Sequence, residues 1–346
     1  MKVAVIGAGV IGQLRARSIH EHTAITLVGV ADADLAQARR AAGSSGARCV
    51  EDYRSLVDDP QIETIVISAP VHLHEEMAVA SLAAGKHVLC EKPLSNSVES
   101  CRRILDAARL HKRTLAVGFN HRYYPSVKHL KRVVDEGGIG TLDHLRVFGG
   151  HDGLSNFRAD WMYKGGLSGG GAMMDVGIHM TDLTRHVMGE IRDVYGVTSN
   201  RVWNVEHSED NALAIFRSDS GLPAFYQATW TEWKGYRFFI EAYGDRGMVR
   251  AYYAPMFNLH VTQDKPGGAR KRSMKFYPEI IIREKLKGWQ TTAYLSFQEE
   301  LADFLRMING ERVALADGWS GVRAVEIAHA VYQSTATGLP VTLSRP

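Results

Sequence analysis

The feature that most constrains this chain is a glycine pattern set directly behind its first strand. Lys2 to Ile6 is short, apolar and β-branched, as in a parallel strand buried on both faces. Gly7-Ala8-Gly9-Val10-Ile11-Gly12 follows at once, and a helical spacing of Leu14, Ala16 and Ile19 begins inside it. Glycines at such a turn permit a tight bend, close approach of a pyrophosphate, and close packing of helix on strand. The helix start offers unpaired N–H groups to the same phosphate. A strand–glycine–helix turn alone also arises for structural reasons. Here a second apolar run, Ile25 to Val30, leads to Asp32, about twenty residues past the last glycine, where a carboxylate accepts hydrogen bonds from ribose hydroxyls. That carboxylate repels a 2′-phosphate, so NAD is expected over NADP. NADP stays possible through Arg39 or Arg40, although a solvated helix face is the ordinary place for such arginines.

The alternation continues with a helix or loop over Asp52 to Val57, a buried strand from Thr64 through Ala69-Pro70, and a helix from His72 to Ala84 closed by Gly85. The apolar strand His87-Val88-Leu89-Cys90 then runs into Glu91-Lys92-Pro93. Proline holds the preceding residue out of helical geometry, so Lys92 is delivered at a strand's carboxyl end, where open parallel sheets bind ligands. A helix over Ser97–His111 and a strand over Thr114–Asn120 complete a doubly wound parallel sheet. His72 and His74 have no third ligand fixed by spacing, and no metal site is expected.

After Asn120 the pattern changes. A helix over Tyr123–Glu136 precedes short strand-like runs at Leu142–Phe148, Val194–Asn200, Asn211–Ser218, Pro223–Trp230, Phe238–Gly244, Gly247–Ala251 and Leu259–Gln263. They predict an antiparallel sheet and an α+β second half. The division expected is 1–120 and 121–346. The basic loop Lys265–Arg272 reads as a solvated hairpin tip, and Phe297–Ile308 and Gly321–Thr335 as helices. Within this half, Gly169-Gly170-Gly171 leads to Asp175 and His179, four apart and so on one face of a helix. A buried Asp–His pair that merely ties a helix down has the same spacing. A carboxylate beside an imidazole, introduced by glycines that let backbone come close to something, is equally an arrangement for general acid–base chemistry. Arg158, Trp161, Tyr163 and Lys164, just before the glycines, have the chemistry of a sugar-sized pocket.

At 346 residues two domains are expected, and a net charge of +3 argues against nucleic acid as the main partner. No apolar run approaches the roughly twenty residues that span a bilayer, and the first residues turn to glycine too early for a secretory signal. Cys49, Cys90 and Cys101 lack metal-like spacing and fit reduced thiols in a cytoplasmic protein.

Taken in order, the glycine loop, Glu91-Lys92-Pro93 and Gly-Gly-Gly-x-x-x-Asp175-x-x-x-His179 resemble the glucose–fructose oxidoreductase/inositol dehydrogenase (Gfo/Idh/MocA) family over nearly the whole length. The resemblance implies an N-terminal Rossmann domain and a C-terminal α+β domain with a large open-faced, mostly antiparallel sheet. It implies that Lys92, Asp175 and His179 form the catalytic set. Gly7, Gly9, Val10, Ile11, Gly12 and Asp32 would line NAD, with Ala69, His74, Glu91, Lys92 and Asn120 as its further neighbours. It also implies a Lys–Pro bond that is often cis, a homodimer or homotetramer built through the open sheet, and a sugar, cyclitol or derivative as substrate. Expected chemistry is hydride transfer between NAD and a secondary alcohol or ketone, with Lys92 polarising the reacting oxygen and His179, oriented by Asp175, moving the proton. Relatives of this fold leave two alternatives: an NAD-dependent glycoside hydrolase acting by transient oxidation, and a non-catalytic NAD-binding sensor. Imine or tetrapyrrole reduction fits the lysine with the Asp–His pair less well.

Overall fold

The computed structural model describes residues 1–156 and 159–344. Strands and helices alternate at first: β1 (Lys2–Ile6), α1 (Val10–His20), β2 (Thr26–Ala31), α2 (Leu35–Ala42), β3 (Arg48–Val50), α3 (Arg54–Val57), β4 (Thr64–Ile67), α4 (His74–Ala83), β5 (His87–Glu91), α5 (Val98–Leu110) and β6 (Leu115–Gly118). The strands lie in the order β6-β5-β4-β1-β2-β3, all parallel, so the order reverses between β1 and β4. Sheets of this kind bind ligands at that reversal, beyond the carboxyl ends of the strands. β4 and β6 are buried at every position, which is why their sequences do not alternate. Asp34 and Ser97 start α2 and α5 by accepting backbone N–H bonds of the first turn.

Next come α6 (Pro125–Asp135), β7 (Leu142–Gly150), α7 (Gly165–Ser168), α8 (Val176–Met188), β8 (Ile191–Ser199), β9 (Asn211–Ser218), β10 (Pro223–Thr229), β11 (Arg237–Gly244), β12 (Gly247–Tyr253), β13 (Phe257–Gln263), β14 (Arg270–Phe276) and α9 (Pro278–Lys287). After them stand α10 (Gln290–Ile308), β15 (Ala316–Asp317), α11 (Gly318–Thr337) and β16 (Val341–Thr342). The second sheet has nine strands in the order β14-β13-β12-β11-β7-β10-β9-β8-β16. Its pairs are antiparallel except β7 with β10, which are parallel. α6 and α8 pack on one face. The other is uncovered among the described residues and exposes Tyr195, Val197, Leu213, Ile215 and Phe225, with Phe148 stacked on Phe239 at 5.4 Å and Tyr252 on Phe257 at 4.9 Å. This is the open-faced sheet that the sequence led us to expect.

The structure departs from the sequence reading in three places. The chain forms two compact units, Met1–Asn120 with Lys287–Arg323, and His121–Leu286 with Ala324–Pro346. Residues 287–323 therefore group with the first 120, where a single cut after Asn120 placed them with the second half. The physical reason is a buried charge. Arg15 on α1 is fully buried and pairs with Glu91 and with Glu300 of α10, each at 2.6 Å. A guanidinium removed from water needs such partners, and the late helix supplies one. β15 also adds an antiparallel edge strand to β6. Secondly, Arg270–Arg272, read as a loop tip, begin β14, an edge strand exposed throughout. Its Arg270, Lys271, Arg272 and Lys275 hide the strand pattern and protect an open edge from pairing with another chain. Thirdly, α9 fills a stretch for which the sequence suggested no element.

Candidate active site

In the first unit the glycine loop takes the form its residues dictate. Gly7 has φ +90, which favours glycine, and its N–H donates to the Ala31 carbonyl at 2.8 Å. A Cβ on Gly12 would strike the Gly7 carbonyl, so this glycine serves helix–strand packing. A Cβ on Gly9, at the N-cap of α1, would meet nothing within 4 Å. The first turn of α1 has no capping side chain and no acidic residue. The helix N-terminus, open space over Gly9 and half-exposed Val10 fit a pyrophosphate, which needs donors and close backbone approach. Asp32 follows the end of β2, and its carboxylate accepts the N–H of Ala8 at 2.7 Å and of Asp34 at 2.9 Å. Arg40 has a partner in Asp34 at 3.9 Å, on an exposed helix.

Lys92 directly follows β5, half-buried, and the Lys92–Pro93 peptide is cis. Glu91 beside it is turned into the protein, its carboxylate shared between Arg15 and the Lys92 N–H at 3.3 Å. His74 is buried, with Nδ1 3.0 Å from the Pro93 carbonyl and Nε2 2.8 Å from that of Ala69. Burial pushes its pKa down against the pull of the two carbonyls, and in the neutral form its single N–H donates to one of them while the ring packs between the ends of β4 and β5. Asn120 donates from Nδ2 to the Ser296 hydroxyl of α10 at 2.9 Å. Ala69, His74 and Glu91 are thus gathered around the β4 and β5 ends, and Asn120 follows β6, each with a structural partner of its own. Among the described residues no group of three or more His, Cys, Asp or Glu side chains is placed to hold a metal.

In the second unit Asp175 does not lie within the helix. It is the N-cap of α8, at φ −92 and ψ −90, and His179 follows in the first turns, buried. The Asp175 carboxylate is 2.7 Å from His151 Nε2 and accepts Trp230 Nε1–H at 3.1 Å. The imidazole of His179 lies 3.8 Å, centroid to centroid, from that of His121. His121 in turn is 2.7 Å from the Tyr236 hydroxyl and stacks on Tyr124 at 4.6 Å. Sequence reasoning missed His121, His151, Trp230 and Tyr236. The one signal available was that Trp230 ends one strand-like run and His151 lies three residues past another, where a side chain can face a site.

The glycines before Asp175 do come close to something, and it belongs to the chain. A Cβ on Gly171 would strike the backbone of Glu209, and one on Gly170 the ring and hydroxyl of Tyr332. Of the residues read as a sugar pocket, Arg158 lies outside the described residues. Trp161 is half-buried on the single turn Asp160–Tyr163, and Lys164 is exposed.

The fold and its relatives together define a dinucleotide-dependent oxidoreductase. Residues 1–119 match the oxidoreductase family with an NAD-binding Rossmann fold, and residues 127–250 match the GFO/IDH/MocA C-terminal domain. The chain is 30% identical over 345 residues to the uncharacterized oxidoreductase YrbE of Bacillus subtilis, covering 98% of this chain and 95% of that one. It is 29% identical to inositol 2-dehydrogenase 2 of Saccharopolyspora erythraea, over 98% and 94% of the two chains. A solved levoglucosan dehydrogenase, in complex with NADH and levoglucosan, matches at 25% identity with a TM-score of 0.86 over 99% of both chains. The chain belongs to the Gfo/Idh/MocA family of NAD-dependent oxidoreductases, among whose members are sugar and inositol dehydrogenases. No helix among the described residues is long and apolar enough to cross a membrane.

Proposed function

We propose that this protein oxidises a secondary alcohol of a sugar, cyclitol or sugar derivative, or reduces the matching ketone, with NAD preferred over NADP. The observation that carries this reading is the second unit's cluster: a carboxylate at the N-cap of α8 bonded to His151 and Trp230, one turn ahead of a buried His179. Such a cluster suits the handling of a hydroxyl proton. The inositol and levoglucosan dehydrogenases among its relatives act on substrates of this polyol chemistry.

NAD, held by Gly7, Gly9, Val10, Ile11, Gly12 and Asp32, supplies the hydride acceptor or donor. His179 takes the hydroxyl proton in oxidation and returns it in reduction. Asp175 orients the imidazole of His151, to which it is bonded, and stands at the N-cap of the helix that carries His179. The Lys92 ammonium stabilises negative charge as it builds on the reacting oxygen. Asp32 discriminates between the cofactors by repelling a 2′-phosphate. The exposed aromatic and aliphatic face of the nine-stranded sheet suits pairing with a second copy of the chain, as a homodimer or homotetramer. The three free cysteines fit a cytoplasmic protein.

The test is a cofactor-reduction screen with NAD and NADP over inositols, aldoses, sugar phosphates, nucleotide sugars and aminosugars. Lys92→Ala and His179→Ala are then assayed on the best substrate. Each should lose turnover by about a hundredfold or more while NAD affinity stays near that of the parent. Near-normal turnover in either variant removes that residue from the mechanism.

A further inference from the structure

Glu209 is a buried acid for which the mechanism above has no use. It stands just before β9, 5% exposed. One carboxylate oxygen accepts the Gly171 N–H at 2.9 Å, and the other accepts the Met173 N–H at 2.6 Å and the Tyr332 hydroxyl of α11 at 3.2 Å. Its own carbonyl accepts the Ala172 N–H at 2.9 Å. Three consecutive backbone N–H groups of the stretch that ends at Asp175 are therefore held by this one residue. Any Cβ on Gly171 would collide with the Glu209 backbone, so the glycine is there to admit it.

A second route joins the same acidic pair to Asp175. The Asp210 carboxylate accepts the N–H groups of Arg201 at 2.7 Å and Val202 at 2.6 Å, while its carbonyl accepts the Trp230 N–H at 2.7 Å. Trp230 then donates through its indole to Asp175. Glu209 fixes the backbone that delivers Asp175, and its neighbour fixes the tryptophan that bonds the Asp175 carboxylate.

We infer that Glu209 is the positioning residue of this site: by accepting the Gly171 and Met173 N–H groups it sets the placement of Asp175 and, through Asp175, of the His151 imidazole. The inference rests on the reading of Asp175 as a member of the catalytic set. An ionised carboxylate accepts both amides, whereas a protonated carboxyl or a carboxamide turns a donor toward one of them. The titratable groups facing Glu209 are Tyr332 from α11 and Tyr226 from β10, both neutral, and burial among them raises its pKa to about 7. The two arrangements therefore exchange near neutral pH.

The experiment follows the full-length protein by NMR from pH 5.5 to 9, in wild type, Glu209→Gln and Glu209→Asp. The amides of Gly171 and Met173 report on Glu209 itself, and the Trp230 indole N–H reports on Asp175. In wild type all three should share one midpoint. Glu209→Gln should erase that component from all three, and Glu209→Asp should move them together. A Trp230 signal that does not share the midpoint of the two amides, or that is unchanged in Glu209→Gln, overturns the inference. Should Glu209→Gln fail to fold, the Glu209→Asp shift decides alone: movement of the amides without Trp230 refutes it. With myo-inositol and NAD as the assay pair, kcat of Glu209→Gln should fall on the order of tenfold to a hundredfold at pH 8, with NAD affinity kept. Turnover equal to wild type at every pH also overturns it. Asp175→Asn separates the two claims, since unimpaired turnover there defeats the catalytic reading while the shared NMR midpoint would still stand.

Discussion

Each unit carries a cluster of glycines ahead of a helix, and the two clusters answer to different neighbours. At the start of α1, Gly7 serves the turn and Gly12, already in the helix, the packing, but a side chain on Gly9 would point into open space. In the run before α8, Gly170 and Gly171 face Tyr332 and Glu209. The first cluster leaves room for a molecule that the chain does not itself provide. The second is filled from within, and its product is the fixed position of one carboxylate. Glycine enrichment ahead of a helix is thus two different signals, told apart by what stands where the missing side chain would go.

Substitutions can break that contrast. Gly171→Ala should cost about 3 kcal/mol in urea unfolding, because its Cβ meets backbone that cannot step aside, while the folded fraction binds NAD as before. An unfolding midpoint equal to wild type would mean the Glu209 segment moves freely. The pH dependence of stability comes next. The folded pKa of Glu209, about 7, lies above its ordinary 4.5, so the folded protein holds the extra proton in that window. Its contribution is complete below about pH 4.5 and is lost as pH rises through about 7, on the order of 3 kcal/mol. Comparison of wild type with Glu209→Gln by urea melts at pH 5 and pH 8 isolates it: the stability of wild type relative to the variant should fall over that interval.

Gly9→Ala should behave in the opposite way to Gly171→Ala. Loss of glycine at the N-cap costs no more than about 1 kcal/mol of stability, yet NAD affinity, read by titration calorimetry, should weaken about tenfold because the methyl takes space the pyrophosphate needs. Unchanged affinity would make the loop a structural turn only. The smallest effect belongs to Asp32→Ala, which should narrow the preference for NAD over NADP by several-fold; an unaltered ratio would hand the discrimination to another residue.

The sequence was legible where chemistry is local. A strand, three glycines and an acid at a fixed distance, or a strand running into Glu-Lys-Pro, are read within thirty or so residues of chain, and their backbone follows from propensity and turn chemistry. The spacing of Asp175 and His179 was legible too, but not that the aspartate leaves the helix for its cap. Its partners lie on other elements: His151 after β7 and Trp230 after β10 reach it only because β7 and β10 pair. The parallel pairing of those strands leaves no mark on either sequence. Likewise nothing around Glu300 announces that Arg15 awaits it, and the lysines and arginines of β14 obscure the alternation by which an edge strand is recognised.

The split composition of the first unit also sets an order of events. Arg15 is made long before Glu300, its second counter-ion. A nascent chain that has already emitted β1 to β6 still holds a cation whose burial is half-compensated, and it stays so while all the strands from β7 to β14 are synthesised. The first unit, begun before the second, is therefore completed only after nearly all the strands of the second have been made.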